Sequence, residues 1–410
     1  MISKFLLTNI GVYLMAFCTV AQDRSSQWRG PDRKGIYFET ELLESWPENG
    51  PELLWSFEGL GAGHSSPGIG NGRIFINGMP DTTGVLYSFD MDGKLLWQKE
   101  YGEEWHVNYT GTRSTPLVVD DNLYLVSGMG EVFCFKAETG DVVWSVDLLQ
   151  KFGGVNIQWG IAESVLIDGD NLICTPGGAE HNVVALNRYT GEIVWSSEGF
   201  GEQSAYCSPV LVIHNNTRLV ITMTERSVIG IDATTGEFYW REEQLQSNKI
   251  HANTPVYNNG IIYCSSSSSR EGKSGLLALQ LSDDGKSVKQ LFRNEKFKNL
   301  MGGIIILDGI IYGSEYRKKN WYSVDAQTGE EKLIKSDFGG GVIVYADGLF
   351  YCYSEDGEVA LVKMTADSFE IVSKFAVPLG TDQHWAHPII HNKRMYIRHG
   401  NALMVYHISK

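Results

Sequence analysis

A short motif recurs along this chain at nearly constant intervals, and no other feature restricts the fold so tightly. Thr139-Gly140-Asp141-Val142-Val143-Trp144 returns as Thr190-Gly191-Glu192-Ile193-Val194-Trp195 and as Thr235-Gly236-Glu237-Phe238-Tyr239-Trp240. Asp92-Gly93-Lys94-Leu95-Leu96-Trp97 is a variant, and Thr328-Gly329-Glu330 is a copy without its Trp. Successive tryptophans stand 47, 51 and 45 residues apart (97 to 144 to 195 to 240). About 40–50 residues is the length of one four-stranded propeller blade.

The remainder of each unit reads as three more strands. An inner strand starts near Ser66-Pro67, Thr115-Pro116, Ser208-Pro209 and Thr254-Pro255. Proline cannot donate to a ladder, so it suits a strand start or an edge. Inner strands are expected near Ser65, Ser114, Glu163, Cys207, Asn253, Gly303, Gly341 and His387, and outer strands near Trp55, Trp97, Trp144, Trp195, Trp240, Phe292, Leu333 and Ile371. That makes eight units. The last one stops after its third strand, while Leu53–Phe57 precedes the first inner strand. The expected fold is therefore all-β, an eight-bladed propeller of four-stranded antiparallel blades. Its N-terminal strand pairs with the C-terminal blade, which removes open edges. In this reading residues 1–21 are a signal peptide, 22–52 an N-terminal extension wrapping the propeller, and 53–410 the propeller.

A feature repeated in every blade is explained by folding before ligand binding. Gly140, Gly191, Gly236 and Gly329 allow a tight turn with positive φ. Trp97, Trp144, Trp195 and Trp240 are expected where neighbouring blades dock.

The chain also carries an export address. Lys4, the mostly apolar Phe5 to Phe17 and the small residues Thr19-Val20-Ala21 read as a secretory signal cleaved before Gln22. The apolar run is too short for a spanning helix, and Phe17 before Cys18 departs from the lipoprotein pattern. A periplasmic or secreted protein is expected, with no transmembrane segment in the mature chain, acting as a monomer. Cys134, Cys174, Cys207, Cys264 and Cys352 are widely spaced and odd in number, which suits small core residues better than a disulfide framework. A net charge of −15 speaks against nucleic-acid binding, which needs a basic face. Arg317-Lys318-Lys319 reads as a solvated loop, and Ser265–Ser269 as a flexible loop without chemistry.

The Thr-Gly-Glu-x-x-Trp repeats resemble those of the pyrroloquinoline-quinone (PQQ)-like propellers, which include quinoprotein dehydrogenases and BamB-like proteins of outer-membrane assembly. Trp28-Arg29-Gly30-Pro31-Asp32-Arg33-Lys34-Gly35, Leu42-Leu43-Glu44-Ser45-Trp46-Pro47 and Gly50-Pro51-Glu52-Leu53-Leu54-Trp55 are similar to the opening of exported bacterial members. So is the segment from Trp159 to Pro209. The resemblance covers residues 28–408. In the dehydrogenases it implies a quinone over the channel, calcium on hard oxygen ligands, a disulfide between adjacent cysteines and an aspartate base. This sequence has no adjacent cysteines and shows no cluster that maps onto the calcium ligands.

Where the blades differ from one another, at the inner-strand starts, there is room for a site. His64, Arg113, Glu163, Tyr206, His251, Asn253, His384 and His387 fall there, with Trp105, His106, Tyr109, Trp159 and Trp385 on nearby loops. They are expected to converge on one cavity, with Arg113 and Glu163 side by side. A planar or sugar ligand would suit such a surface. His384 and His387 are three apart and point to opposite faces of a strand, so no metal is expected. No Ser/His/Asp arrangement can be assembled from sequence order, and no catalytic residue is named. The expected function is a non-catalytic binding or scaffold module for a protein or carbohydrate ligand, needing no cofactor. The alternative is a PQQ-dependent alcohol or sugar dehydrogenase with calcium.

Overall fold

Each repeat folds as a four-stranded antiparallel sheet whose spatial order follows the chain. Blade 1 comprises Gly68–Gly70, Arg73–Gly78, Thr83–Asp90 and Leu95–Glu103. The inner strands of blades 2 to 7 begin at Leu117, Leu166, Val210, Val256, Ile305 and Gly341. This computed structural model describes residues 27–410; the signal sequence, its cleavage site and Cys18 lie outside the described residues. Blade 8 combines Ile389–His391, Arg394–His399 and Ala402–His407 with Glu52–Glu58, which pairs antiparallel with the last strand and closes the ring. The hairpin between inner and second strands turns on an Asn or Asp with positive φ in seven blades: Asn71, Asp120, Asn215, Asn259, Asp308, Asp347 and Asn392. These residue types tolerate the left-handed region that a tight hairpin demands.

Apolar side chains collect between blades. Phe75 and Leu86 of blade 1 cluster with Leu123 and Phe135 of blade 2. Leu172 and Val184 of blade 3 cluster with Tyr124 and Val132 of blade 2. Second and third strands are thus buried on both faces and lack hydrophobic alternation, as in Asn122–Val126. The five described cysteines are buried and unbridged, Cys134, Cys174, Cys264 and Cys352 in such strands and Cys207 just before the inner strand of blade 4.

The tryptophans dock each blade to the next. A Cβ on Gly140 would stand 2.7 Å from the ring of Trp97, one on Gly191 2.8 Å from Trp144, and one on Gly236 2.6 Å from Trp195. Trp55 meets Gly93 in the same way, and Phe292 takes the tryptophan's place against Gly329. The turn glycine therefore serves twice: φ is positive (73° at Gly140 and 78° at Gly236), and the preceding blade's ring fills the space a side chain would need. The indole N–H groups of Trp144, Trp195 and Trp240 donate to carbonyls of the next blade, those of Arg188, Ala233 and Gly285. A register shift beside the ring, as at Val142/Trp144, aims it sideways and leaves Val142 and Val143 exposed. The outer strand of blade 6, whose motif lacks the Trp, pairs without such a shift.

Residues 27–52 do not simply wrap the ring. Ile36–Tyr37 adds in parallel to the inner strand of blade 7, and Trp46 packs on Tyr351 and Phe375. Residues 27–35 instead enter the central channel. Arg29 donates to the carbonyls of Gly302 (3.1 Å) and Ile304 (3.0 Å), and Arg33 to those of Ser164 (3.0 Å), Val165 (2.5 Å) and Pro209 (2.8 Å). Five residues of chain thereby reach blades 3, 4 and 6, and only a segment near the axis can do so.

Candidate functional site

The two residues before each inner strand explain both the site and the errors of sequence reading. Ser66, Thr115, Ser164 and Ser208 stand in equivalent places. The backbone N–H groups of the first three donate to the hydroxyl of the next blade: Ser66 to Thr115 Oγ1 (3.1 Å), Thr115 to Ser164 Oγ (2.9 Å) and Ser164 to Ser208 Oγ (2.9 Å). Ser66 Oγ donates backwards to the His387 carbonyl (2.8 Å). These hydroxyls thus form a belt along blades 1 to 4, and Thr254 Oγ1 in blade 5 has no partner among the described residues.

One residue earlier, side chains turn away from the channel into their own blade. Ser65 bonds to Asn77, while Ser114, Glu163 and Cys207 accept the N–H groups of Val126, Thr175 and Met223. Glu163 belongs to this inward series. Its carboxylate takes the Thr175 N–H (2.9 Å) and hydroxyl (2.5 Å) and is fully buried. Asn253 is likewise buried, bonded to Asn299 and to the Gly303 N–H of the next blade.

Two residues before the hydroxyl belt, side chains face the channel. His64, Arg113, Ala162, Tyr206, Met301 and Trp385 occupy this position in blades 1, 2, 3, 4, 6 and 8, and all line one cavity of about 480 Å³. Trp28 of the inserted segment lines it as well, edge-on to His387 at 5.0 Å, while Trp159 lies 6.0 Å from Tyr206. A second cavity of about 380 Å³, lined by Gln27, Pro31 and Lys34 with blades 3 and 4, shares no residue with the first. The inserted segment divides the channel between them.

The structure brings His64, Arg113, Trp159, Tyr206, Trp385 and His387 together, along with Tyr109. It does not bring in the others. Arg113 and Glu163 are not paired: Arg113 donates to the carbonyls of Gly111 and Tyr109, both at 2.5 Å, while Glu163 faces Thr175. Extended backbone alternates, so Glu163 and its channel-facing neighbours Ala162 and Ser164 point opposite ways. By the same alternation Ile250 and Ala252 face the cavity, and His251 turns inward to the Glu225 carbonyl. Trp105 is buried with its indole on the Asn108 carbonyl, and His106 sits on the surface beside Glu103. His384 stacks on His399 (3.8 Å) and bonds to Tyr353.

Two loops read as inert contribute after all. Arg317 and Tyr316 line the cavity, and so does Ser267. Ser265 and Ser266 are buried and hydrogen-bonded. Trp28 is a further lining residue that sequence reasoning misses. Its motif is legible, but nothing in it announces insertion into the channel.

The channel's electrostatics depart from those of the chain. Arg29, Arg33, Arg113 and Arg398 are held mainly by carbonyls and hydroxyls, and none forms a salt bridge with a described carboxylate. Burial lowers Arg29, Arg33 and Arg113 to about 10 and Arg398 to about 9, which leaves all four charged at neutral pH. Burial, with Arg113 and Arg398 close by, takes His64 down to about 3, so its imidazole is neutral. Both ring nitrogens of His64 are buried, with the Tyr109 backbone beside them. Behind the rim, burial pushes Glu355 up to about 7 against the charge of nearby Arg317.

Glu163 provides a test of this interior. Burial pushes its carboxyl up to about 7, against the hydrogen bonds from Thr175 and the charge of Arg33. Because the folded pKa lies above the unfolded one, the native state holds the extra proton, and this group's contribution falls as pH rises from about 4.5 to 7. Glu163→Gln keeps the amide oxygen for the Thr175 N–H but cannot ionise. Its stability relative to wild type should therefore rise across that window, by up to about 3 kcal/mol. Urea melts of both proteins at pH 5 and pH 8 measure the difference; a pH-independent difference would contradict the burial of this carboxyl.

Comparison with known proteins follows the same lines. A family model described as outer membrane protein assembly factor BamB matches residues 82–335. The assembly factor BamB of Kangiella koreensis is 26% identical over 184 residues, which is 43% of this chain and 42% of that protein. The quinoprotein alcohol dehydrogenase PedH of Pseudomonas putida is 25% identical over 174 residues, 40% of this chain and 28% of that one. These alignments span less than half the length of either relative. The crystal structure of BamB from Moraxella catarrhalis superposes with a TM-score of 0.61 over 87% of this chain and 97% of its own, at 14% identity, a likeness of fold. Among the described residues no helix is long and apolar enough to cross a membrane.

Proposed function

The chain belongs to the family described as outer membrane protein assembly factor BamB, and from that membership we propose that it is an exported, non-catalytic binding module whose ligand enters the channel cavity. One observation carries this reading. The cavity is walled by Trp28, Tyr109, Trp159, Tyr206, Tyr316 and Trp385, and among the described residues no carboxylate lines it. Concave aromatic walls with a few polar groups are the usual make-up of a ligand site.

The dehydrogenase relatives raise the quinone reading, and the residues present do not fit it. Calcium needs several hard oxygen ligands at about 2.3–2.6 Å. The acidic and amide residues nearest the inner-strand starts, Glu163 and Asn253, spend their oxygens on Thr175, Asn299 and Gly303 and face away from the cavity. Among the described residues no group of three or more His, Cys, Asp or Glu is arranged to hold a metal ion.

Incubation with PQQ and Ca²⁺, followed by gel filtration, absorbance and a dye-reduction assay over alcohols and sugars, separates the two readings. The expected result is no stoichiometric quinone and no turnover. Retained quinone with dye reduction would replace the binding module with an oxidoreductase. Affinity capture from periplasmic extract would add whether a protein partner also docks, as the family name suggests for its assembly factors.

A further inference from the structure

Resting on the binding reading above, we propose that the channel cavity selects an acidic sugar, a pyranose ring bearing a carboxylate, and holds it without a metal ion.

The argument begins with charge. The protein carries a net charge of −15, yet four buried or largely buried guanidiniums, Arg29, Arg33, Arg113 and Arg398, line or back the channel without a salt bridge to a described carboxylate. Glu104 near Arg113 and Arg398, and Glu163 near Arg33, are the closest carboxyls, and burial raises the pKa of both, so they offset these cations only in part. A desolvated cation so poorly compensated is costly to keep, and an anionic ligand would supply the remaining charge. Arg113 is the one of the four that lines the cavity. Two of its N–H groups are committed to the Gly111 and Tyr109 carbonyls, and the guanidinium offers five donors in all. Arg317 also lines the cavity but is exposed to solvent, whereas Arg113 is partly buried, so the selectivity is assigned to Arg113.

The shape of the walls then selects the ring. A flat aromatic ligand is best gripped by a slot of parallel rings. Here neighbouring rings are inclined: Trp159 to Tyr206 by 48°, Tyr109 to Trp385 by 45° and His64 to Trp385 by 46°. Inclined apolar faces suit the C–H surfaces of a puckered sugar. Between them stand hydroxyl and amide groups, Ser164, Ser208, Ser267, Gln246 and Asn248. These groups both donate and accept, as sugar hydroxyls require.

Isothermal titration of the full mature chain with glucuronate, glucose and benzoate tests the inference. Glucuronate should bind at least tenfold more tightly than glucose, and more tightly than benzoate. Its affinity should fall as salt is raised while that of glucose stays level. Arg113→Gln should abolish the preference for glucuronate over glucose, and Arg113→Lys should restore part of it. Equal binding of glucuronate and glucose would overturn the charge argument but leave the cavity as a sugar site. Tighter binding of benzoate would overturn the argument from inclined walls. If none of the three binds, the acidic-sugar inference falls; the binding-module reading falls separately, on quinone uptake with turnover. The wild-type comparisons hold even if an Arg113 variant fails to fold.

Discussion

Trp195→Ala is expected to destabilise the propeller by about 3–5 kcal/mol, the range for deleting a large buried aromatic. The indole of Trp195 is 7% exposed, and its N–H donates to the Ala233 carbonyl of blade 4 at 3.1 Å. Its ring lies against Gly236, where no side chain can fill the space it vacates, because the backbone there has φ of 78°. The cavity would open between blades 3 and 4, whose shared core holds Ile173, Ala185, Val220 and Ile229. Trp97→Ala should cost less, since that ring is only partly buried and its N–H has no hydrogen-bond partner among the described residues. Guanidinium melts of the two variants measure the ranking. Equal losses, or a Trp195→Ala protein as stable as wild type, would mean that the rings cover the surface and do not dock the blades.

Arg33→Ala is expected to cost about 2–4 kcal/mol and to loosen the N-terminal segment from the channel. Two effects oppose each other. Burial of this guanidinium is unfavourable and lowers its pKa from 12.5 to about 10, a penalty of roughly 3 kcal/mol. Against it stand bonds to the carbonyls of Ser164, Val165 and Pro209, and one to Gln27. Charge-assisted bonds contribute about 1.5–3 kcal/mol each, and the carbonyls left behind would be buried and unpaired, so the loss exceeds the relief. Arg33→Met preserves much of the volume and should be nearly as damaging if the hydrogen bonds dominate. The sharper readout is limited proteolysis. Cleavage within residues 27–35 should accelerate in the Arg33 variants and remain slow in Arg317→Gln, whose exposed side chain holds no part of the segment. Unchanged proteolysis would show that Arg29 and Tyr37 suffice to anchor it.

Much of the molecule is legible in its repeat. The eight blades, the ring closure through Leu53–Phe57 and the strand order follow from a pattern that each blade must satisfy alike. Positive φ is reason enough to expect glycine in the Thr-Gly turn; its second role, yielding space to the preceding blade's tryptophan, appears only when blades stand side by side. His64, Arg113, Tyr206 and Trp385 stand out because they interrupt the repeat at channel-facing positions. Glu163 interrupts it too, yet it falls one residue out of phase with the channel. Its equivalents Ser65, Ser114 and Cys207 vary as freely, because different side chains can hold the second strand equally well.

What the sequence determined alone is therefore everything periodic: blade number, turn chemistry, docking rings and the hydroxyl before Pro67, Pro116, Pro209 and Pro255. These depend on local backbone preference and on a neighbour that is always the same. Tertiary structure decided the rest. Which alternate side chains face the axis depends on how the closed ring orients each inner strand. Arg317 and Ser267 reach the cavity because closure folds distant loops over one mouth, and Trp28 lines it because Arg29 and Arg33 find carbonyls in blades 3, 4 and 6. Those partners lie more than a hundred residues away along the chain, a separation at which no local pattern announces a contact.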